Sequence, residues 1–132
     1  MSQTMMFVTH HKVKDGVSGD LQELSRQFVD FVADNEPRTI GAQVFVDDDR
    51  NELTYLQIQP DSEAMDYHWV QLQQGGSETL AAALEGAETT SVEIYGEPGP
   101  VLTESLKALA ERGVEVKVLR RNLEGFLRPQ IA

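Results

Sequence analysis

Two runs of strictly alternating side chains, separated by an acidic loop, constrain the fold of this chain more than any other feature. They lie within TIGAQVFVDDDRNELTYLQIQP, residues 39–60. An alternation with a period of two residues is typical of a strand whose two faces meet different surroundings. One face of this predicted sheet is aliphatic. The other carries aromatic and amide side chains.

Strand-like and helix-like segments flank these runs on both sides. A strand begins at MMFVTHHKV and stops at the turn signal Asp15-Gly16. An amphipathic helix follows, with Asp20 as its cap, and ends at Pro37. A second helix begins at Asp61 or Ser62 and is interrupted at Gly75-Gly76, and Gly86 ends the helical region that follows.

The C-terminal part adds a strand, a helix and a strand. The strand lies within ETTSVEIYGEPGP, Pro100 suits the first turn of the helix VLTESLKALAERG, and VEVKVL forms the last strand. We expect a buried stripe on that helix (Val101, Leu102, Leu106 and Leu109). A strand-helix-strand unit of this size usually makes its two strands parallel.

The element order β-α-β-β-α-β, followed by α-β, predicts an α+β fold. Its first six elements match the ferredoxin-like arrangement, in which two helices cover one face of a four-stranded antiparallel sheet. We expect one domain over 1–132, with 5–98 as the core and 99–132 as a helix-strand extension. The uncovered sheet face is too aromatic for water, so a second copy of the chain is its simplest cover. By alternation this face carries Gln43, Phe45, Tyr55, Gln57, Glu93 and Tyr95.

Composition excludes several kinds of partner. The chain has 22 acidic and 11 basic residues, which gives a formal net charge of −11. Such a surface repels phosphate backbones and anionic lipid, so neither nucleic acid nor a membrane is expected as a partner. There is no cysteine, no signal-peptide pattern and no apolar run of the roughly 20 residues that span a bilayer. We expect a cytoplasmic protein.

The chain resembles the antibiotic biosynthesis monooxygenase-like family of dimeric α/β-barrel proteins over about Met5 to Gly96. The likeness rests on FVTHHKVKDG, on PDSEAMDYH at the start of the second helix, and on the element order; IYGEP and EGFLRP extend it towards an uncharacterised subgroup. The resemblance implies a homodimer paired through its sheets and a small aromatic or polycyclic ligand between helices and sheet. Some members oxidise quinols or anthrones with oxygen and no cofactor.

Residue by residue, the functional sets of characterised relatives do not carry over. Haem-degrading relatives use an Asn on the first strand, a Trp on the third strand and a His on the second helix. Here the first strand offers Thr9, His10 and His11, the third has Tyr55, and His68 precedes the position of the relatives' helix histidine. The Asn-Trp-Arg set of the oxygenases is also not recoverable. The likeness therefore does not extend to haem, and we expect no cofactor.

His68 is the candidate catalytic residue. Met65, Trp69 and Leu72 share one stripe of the second helix, which makes Trp69 a packing residue first, and His68 falls at the edge of that stripe. A boundary imidazole can act as a base near neutral pH or simply hydrogen-bond to a neighbour. The candidate ligand-pocket residues are His10, His11, Tyr55, Trp69 and Tyr95.

Two functions remain open from the sequence. His10 and His11 point to opposite faces of one strand, so they do not form a metal site together, and we expect no metal. The first function is a small-molecule enzyme in the pocket between helices and sheet, either a cofactor-independent quinol- or polyketide-type monooxygenase acting on a neutral aromatic molecule or an enzyme with an isomerase-like activity. The alternative is a non-catalytic dimeric binding or accessory protein.

Overall fold

The computed structural model describes residues 4–13, 21–73 and 87–128. Within these ranges the elements are β1 (Met5–Val13), α1 (Leu21–Asn35), β2 (Gly41–Asp47), β3 (Glu52–Gln59), α2 (Ser62–Gln73), β4 (Ala87–Tyr95), α3 (Pro100–Glu111) and β5 (Glu115–Leu119). The predicted turn at Asp15-Gly16, the cap at Asp20 and the glycine signals at 75–76 and 86 lie outside these ranges.

The strands form one five-stranded sheet in the order β2-β3-β1-β4-β5. The β1–β3, β1–β4 and β2–β3 pairs are antiparallel, whereas β4 and β5 pair in parallel. The first four strands thus confirm the ferredoxin-like core, and the C-terminal extension adds a parallel edge strand through α3. The handedness rule for a βαβ unit anticipates this parallel pairing.

Strand register corrects the predicted sheet faces. Tyr55 lies opposite Val44 on β2 and opposite Thr9 on β1, so these three side chains share a face. Tyr55 and Gln57 are only 4% and 0% exposed, because this is the face that the helices cover. Their predicted place on the uncovered face is wrong. Alternation shows which residues of one strand share a face, but the register between strands decides which sets lie side by side.

The uncovered face is more aliphatic than the sequence indicated. Gln43, Phe45, Glu93 and Tyr95 lie on it as predicted, because their cross-strand partners are residues of this face. The apolar residues that join them there are Met6, Val8, Leu56 and Ile58.

The helices cover the opposite face in two core clusters. One cluster includes Phe7, Met65 and Trp69 with Leu102 and Leu106 of α3, and the other includes Phe28 of α1 and Tyr55. The predicted core role of Met65 and Trp69 is confirmed, while the side chain of Leu72 lies outside the described set. On α3, Leu102 and Leu106 are buried as expected, and Val101 and Leu109 are half-buried.

Capping fixes where α2 and α3 begin. The Ala64 amide donates to the Asp61 carboxylate at 2.9 Å, which confirms Asp61 as the capping residue of α2. The amide of Leu102, in the first turn of α3, donates to Asp66 of α2 at 2.9 Å. This bond ties the extension to the core through the helix that carries His68.

Candidate functional site

The end of α1 places a carboxylate in the protein interior. Pro37 disfavours helical geometry at the residue before it, so α1 stops at Asn35 and Glu36 leaves the helix axis. The Glu36 amide still donates to the Val32 carbonyl, which anchors the turn. The Glu36 side chain is buried under α2. A buried carboxylate needs strong partners, because leaving it unpaired is costly.

His68 of α2 is the partner of Glu36. Its Nδ1 lies 2.8 Å and 2.7 Å from the two carboxylate oxygens, and both side chains are 2% exposed. The sequence placed His68 at the edge of the core stripe, but the structure buries it completely. The reason is tertiary: Glu36, directly after α1, and Phe28 of α1 lie against the His68 ring and cover the position that helical periodicity leaves at a boundary.

Aromatic rings enclose the His68 imidazole from two sides. The Phe7 ring of β1 stacks on it at 5.3 Å between centroids, and the Phe28 ring of α1 meets it edge-on at 6.4 Å. His68 therefore lies between the two core clusters. These rings exclude water from the imidazole, so the Glu36 carboxylate is the polar contact that fixes its orientation.

A row of polar contacts continues from Glu36 into the sheet. Thr39 Oγ1 lies 3.2 Å from Glu36 Oε1 and 3.0 Å from Gln59 Oε1. Gln59 Nε2 in turn donates to Gln57 Oε1 at 2.9 Å. We call these five residues, His68, Glu36, Thr39, Gln59 and Gln57, the interior polar cluster. Sequence reasoning missed Glu36, Thr39 and both glutamines as site residues.

Two buried donors beside this cluster have no partner among the described residues. They are Gln57 Nε2 at the end of the cluster and Trp69 Nε1 on α2. A buried donor left unpaired costs about 1–3 kcal/mol, so each of these groups calls for an acceptor.

His11 lies on the covered face but in a different role from His68. Its Nε2 is 2.8 Å from Thr9 Oγ1 and its Nδ1 is 3.0 Å from Thr89 Oγ1, so both ring nitrogens are engaged. Burial, with a smaller contribution from His10, lowers the pKa of His11 to about 4. The ring is neutral near pH 7 and packs against Tyr55 at 4.6 Å. His11 is thus a weak base that holds the sheet surface together.

The structure does not bring all predicted pocket residues together. Tyr55, Trp69 and His11 lie on the helix-covered face with His68. His10 and Tyr95 lie on the uncovered face, where His10 Nδ1 is 3.0 Å from Thr54 Oγ1 and its Nε2 is 3.7 Å from Glu93. Burial and the adjacent Glu93 raise the pKa of Tyr95.

Within residues 4–13, 21–73 and 87–128, no group of three or more His, Asp or Glu side chains is placed to hold a metal ion. None of the helices that the structure describes is long and apolar enough to cross a membrane.

The element order and the sheet pairing define an α+β protein with the fold of antibiotic biosynthesis monooxygenase-like proteins. The chain is similar to MupZ from Pseudomonas fluorescens, with 15% identity and a TM-score of 0.62 over 95% of this chain and 91% of MupZ. A proposed antibiotic biosynthesis monooxygenase from Caulobacter crescentus CB15 gives 16% identity and a TM-score of 0.52 over 70% of this chain and 86% of that chain. Another from Chloroflexus aurantiacus J-10-fl gives 13% identity and a TM-score of 0.51 over 74% of this chain and 95% of that chain.

These likenesses confirm at the level of the fold the resemblance that the sequence indicates. The similarity to MupZ spans 95% of the chain and so includes much of the C-terminal extension, whereas the other two cover 70% and 74%. No family model matches the sequence, and no curated protein matches it either. At identities of 13–16% the shared fold does not by itself carry over an activity.

Proposed function

We propose that this protein binds a small neutral aromatic molecule between its helices and its sheet and oxidises it with molecular oxygen, without a cofactor. His68 is the general base. The buried pair of His68 and Glu36 carries this proposal, because a fixed imidazole in a water-poor interior is a standard device for proton removal.

Glu36 determines which nitrogen of His68 exchanges protons. Its carboxylate accepts a hydrogen bond from Nδ1, so the proton resides there and Nε2 is the nitrogen that takes a proton from the substrate. A carboxylate that orients an imidazole in this way also stabilises the imidazolium that forms.

The chemistry needs only the substrate and oxygen. Removing a proton from the CH₂ group of an anthrone, or from a quinol hydroxyl, makes the molecule electron-rich enough to pass an electron to O₂. For an anthrone the radical pair combines to a peroxide, which then loses water. One oxygen atom ends as the new carbonyl and the other as water, and His68 returns its proton to the departing oxygen.

Charge favours a neutral substrate. The net charge of −11 repels anions at long range, whereas burial and stacking between rings supply affinity for a neutral aromatic molecule. Trp69, Phe7 and Tyr55 provide apolar aromatic surface on the covered face.

Oxygen uptake tests the proposal. A panel of neutral quinols and anthrones is supplied to the wild type, to His68→Ala and to His10→Ala, which removes a histidine from the opposite sheet face. We expect turnover of at least one compound, a loss of about 100-fold or more in His68→Ala, and little change in the control. Turnover that does not depend on His68 contradicts the assignment of the base.

A second candidate function is non-catalytic binding, as an accessory protein. The dense packing of Met65 and Trp69 against Phe7 favours it, because these side chains fill interior space beside His68. Binding of a panel member without any oxygen uptake would select this alternative.

The uncovered sheet face supports a homodimer in either case. Met6 and Phe45 on this face are 38% and 57% exposed, and Leu56 and Ile58 add further apolar area. A face of this kind is covered most simply by a second copy, through the sheet-to-sheet pairing that the fold resemblance implies.

A further inference from the structure

The ligand atom that the interior can recognise follows from its unpaired donors. Gln57 is completely buried and Trp69 is about nine-tenths buried, yet Gln57 Nε2 and Trp69 Nε1 have no acceptor among the described residues. Both groups carry hydrogen and no lone pair that is available to a donor. The missing partner of each is therefore an acceptor.

In the structure the carbonyl end of the Gln57 amide faces Gln59. Thr39 donates to Gln59 Oε1, and Gln59 Nε2 then donates to Gln57 Oε1. Because the carbonyl end of Gln57 is occupied, its NH₂ end is the one left free.

Three functional groups surround the Phe7 ring. Gln57 is the cross-strand neighbour of Phe7 on β3. The ring centroids of Trp69 and His68 lie 5.9 Å and 5.3 Å from that of Phe7. Two unpaired donors and the proposed base therefore share one small region of the covered face.

We infer that Gln57 is the specificity-determining residue of this site and that it donates a hydrogen bond to the carbonyl oxygen of a planar aromatic ketone. Trp69 Nε1 supplies the second donor to an oxygen of the same molecule. Thr39 and Gln59 are positioning residues, because they hold the Gln57 amide in its donating orientation. This inference rests on the proposed ligand site but not on its oxidation chemistry.

The test compares two tricyclic probes that differ in one carbonyl group, anthrone and 9,10-dihydroanthracene. Binding is measured without oxygen by quenching of the fluorescence of Trp69, the one tryptophan of the chain. We expect the wild type to bind anthrone about 3- to 10-fold more tightly than dihydroanthracene, the range for one net hydrogen bond. Gln57→Leu should remove this preference and leave the affinity for dihydroanthracene unchanged or higher.

Two further variants complete the design. Gln43→Leu changes an exposed glutamine on the uncovered face and should retain the full preference. Thr39→Val alters a half-buried residue that a folded protein tolerates, and it should reduce the preference because the Gln57 amide is then free to rotate. Circular dichroism verifies that each variant is folded. If Gln57→Leu does not fold, Thr39→Val still tests the role of the Gln57 amide.

Several outcomes would overturn the inference. Equal affinity of the wild type for both probes would mean that water already satisfies the donors, and absence of binding by either probe would reject planar aromatic ketones. A preference that survives in Gln57→Leu would reject the role of this residue. Preferential binding of anthrone without oxygen uptake would reject only the oxidation chemistry, whereas uptake that needs His68 but not Gln57 would reject only this inference.

Discussion

Replacing Glu36 with Leu should destabilise the protein more than any change to an exposed acid. The substitution removes the carboxylate that lies 2.7 Å from His68 Nδ1 and leaves a buried imidazole without its partner. Leaving a buried donor without its charged partner costs about 3 kcal/mol, the upper end of the range for an unmade hydrogen bond. That is a large share of the roughly 5–15 kcal/mol by which such domains are stable.

Matched variants separate this effect from simple loss of volume. Glu36→Gln retains shape and an acceptor oxygen but loses the charge, so we expect a smaller loss of about 1–2 kcal/mol. Asp34→Asn, an exposed acid in the last turn of α1, should stay within about 0.5 kcal/mol of the wild type. The double variant Glu36→Leu, His68→Leu should recover part of the loss, because an apolar pair can replace a buried polar pair.

The assay is urea unfolding followed by far-ultraviolet circular dichroism, with the fluorescence of Trp69 as a second probe. Coincident transitions from the two probes allow a free energy of unfolding to be extracted for each variant. A Glu36→Leu protein within about 0.5 kcal/mol of the wild type would refute the buried pair. So would strict additivity of the two leucine substitutions, since groups in contact should be coupled.

Three further predictions concern other parts of the molecule. Trp69→Ala should lower the free energy of unfolding by about 3–5 kcal/mol, as measured by urea titration with circular dichroism. A variant that unfolds at the wild-type midpoint would place this ring outside the core. The pKa of His11 is lowered to about 4, so the stability that its neutral form contributes is complete above about pH 6.5 and is lost as the pH falls towards 4. When the pH is lowered from 7 to 4.5, the free energy of unfolding of the wild type should therefore fall by about 2–3 kcal/mol more than that of His11→Gln, as measured by urea titration at each pH. Equal losses in the two proteins would contradict this. Sedimentation should show a homodimer that Phe45→Glu dissociates and Tyr67→Glu, at another exposed aromatic site on α2, does not. A wild-type monomer at micromolar concentration would reject the dimer.

Local patterns along the chain predicted the elements and their order. The alternation in β2 and β3, the apolar spacing in α1 and the capping signal at Asp61 each depend on neighbours within a few residues, and each is confirmed. The parallel pairing of β5 was also accessible, because the handedness of a βαβ unit leaves few alternatives.

Two features of the sequence point to the interior polar cluster. An acid directly after a helix C-terminus, as at Glu36, faces the negative end of the helix dipole and is unfavourable unless it has a partner elsewhere. Gln57 and Gln59 share a strand face with the apolar Leu53, which is unusual for a solvated surface. Neither feature names its partner.

The sequence by itself determined which residues of each element lie together, because the periods of helices and strands are properties of the local backbone. Only the tertiary structure decided which strand faces combine, since the pairing of Val44 with Tyr55 depends on hydrogen bonds between segments distant in sequence. The same holds for the site: His68 and Glu36 are 32 residues apart and meet because the fold brings the residue after α1 against α2. Burial makes their contact strong, and burial is a property of the whole fold.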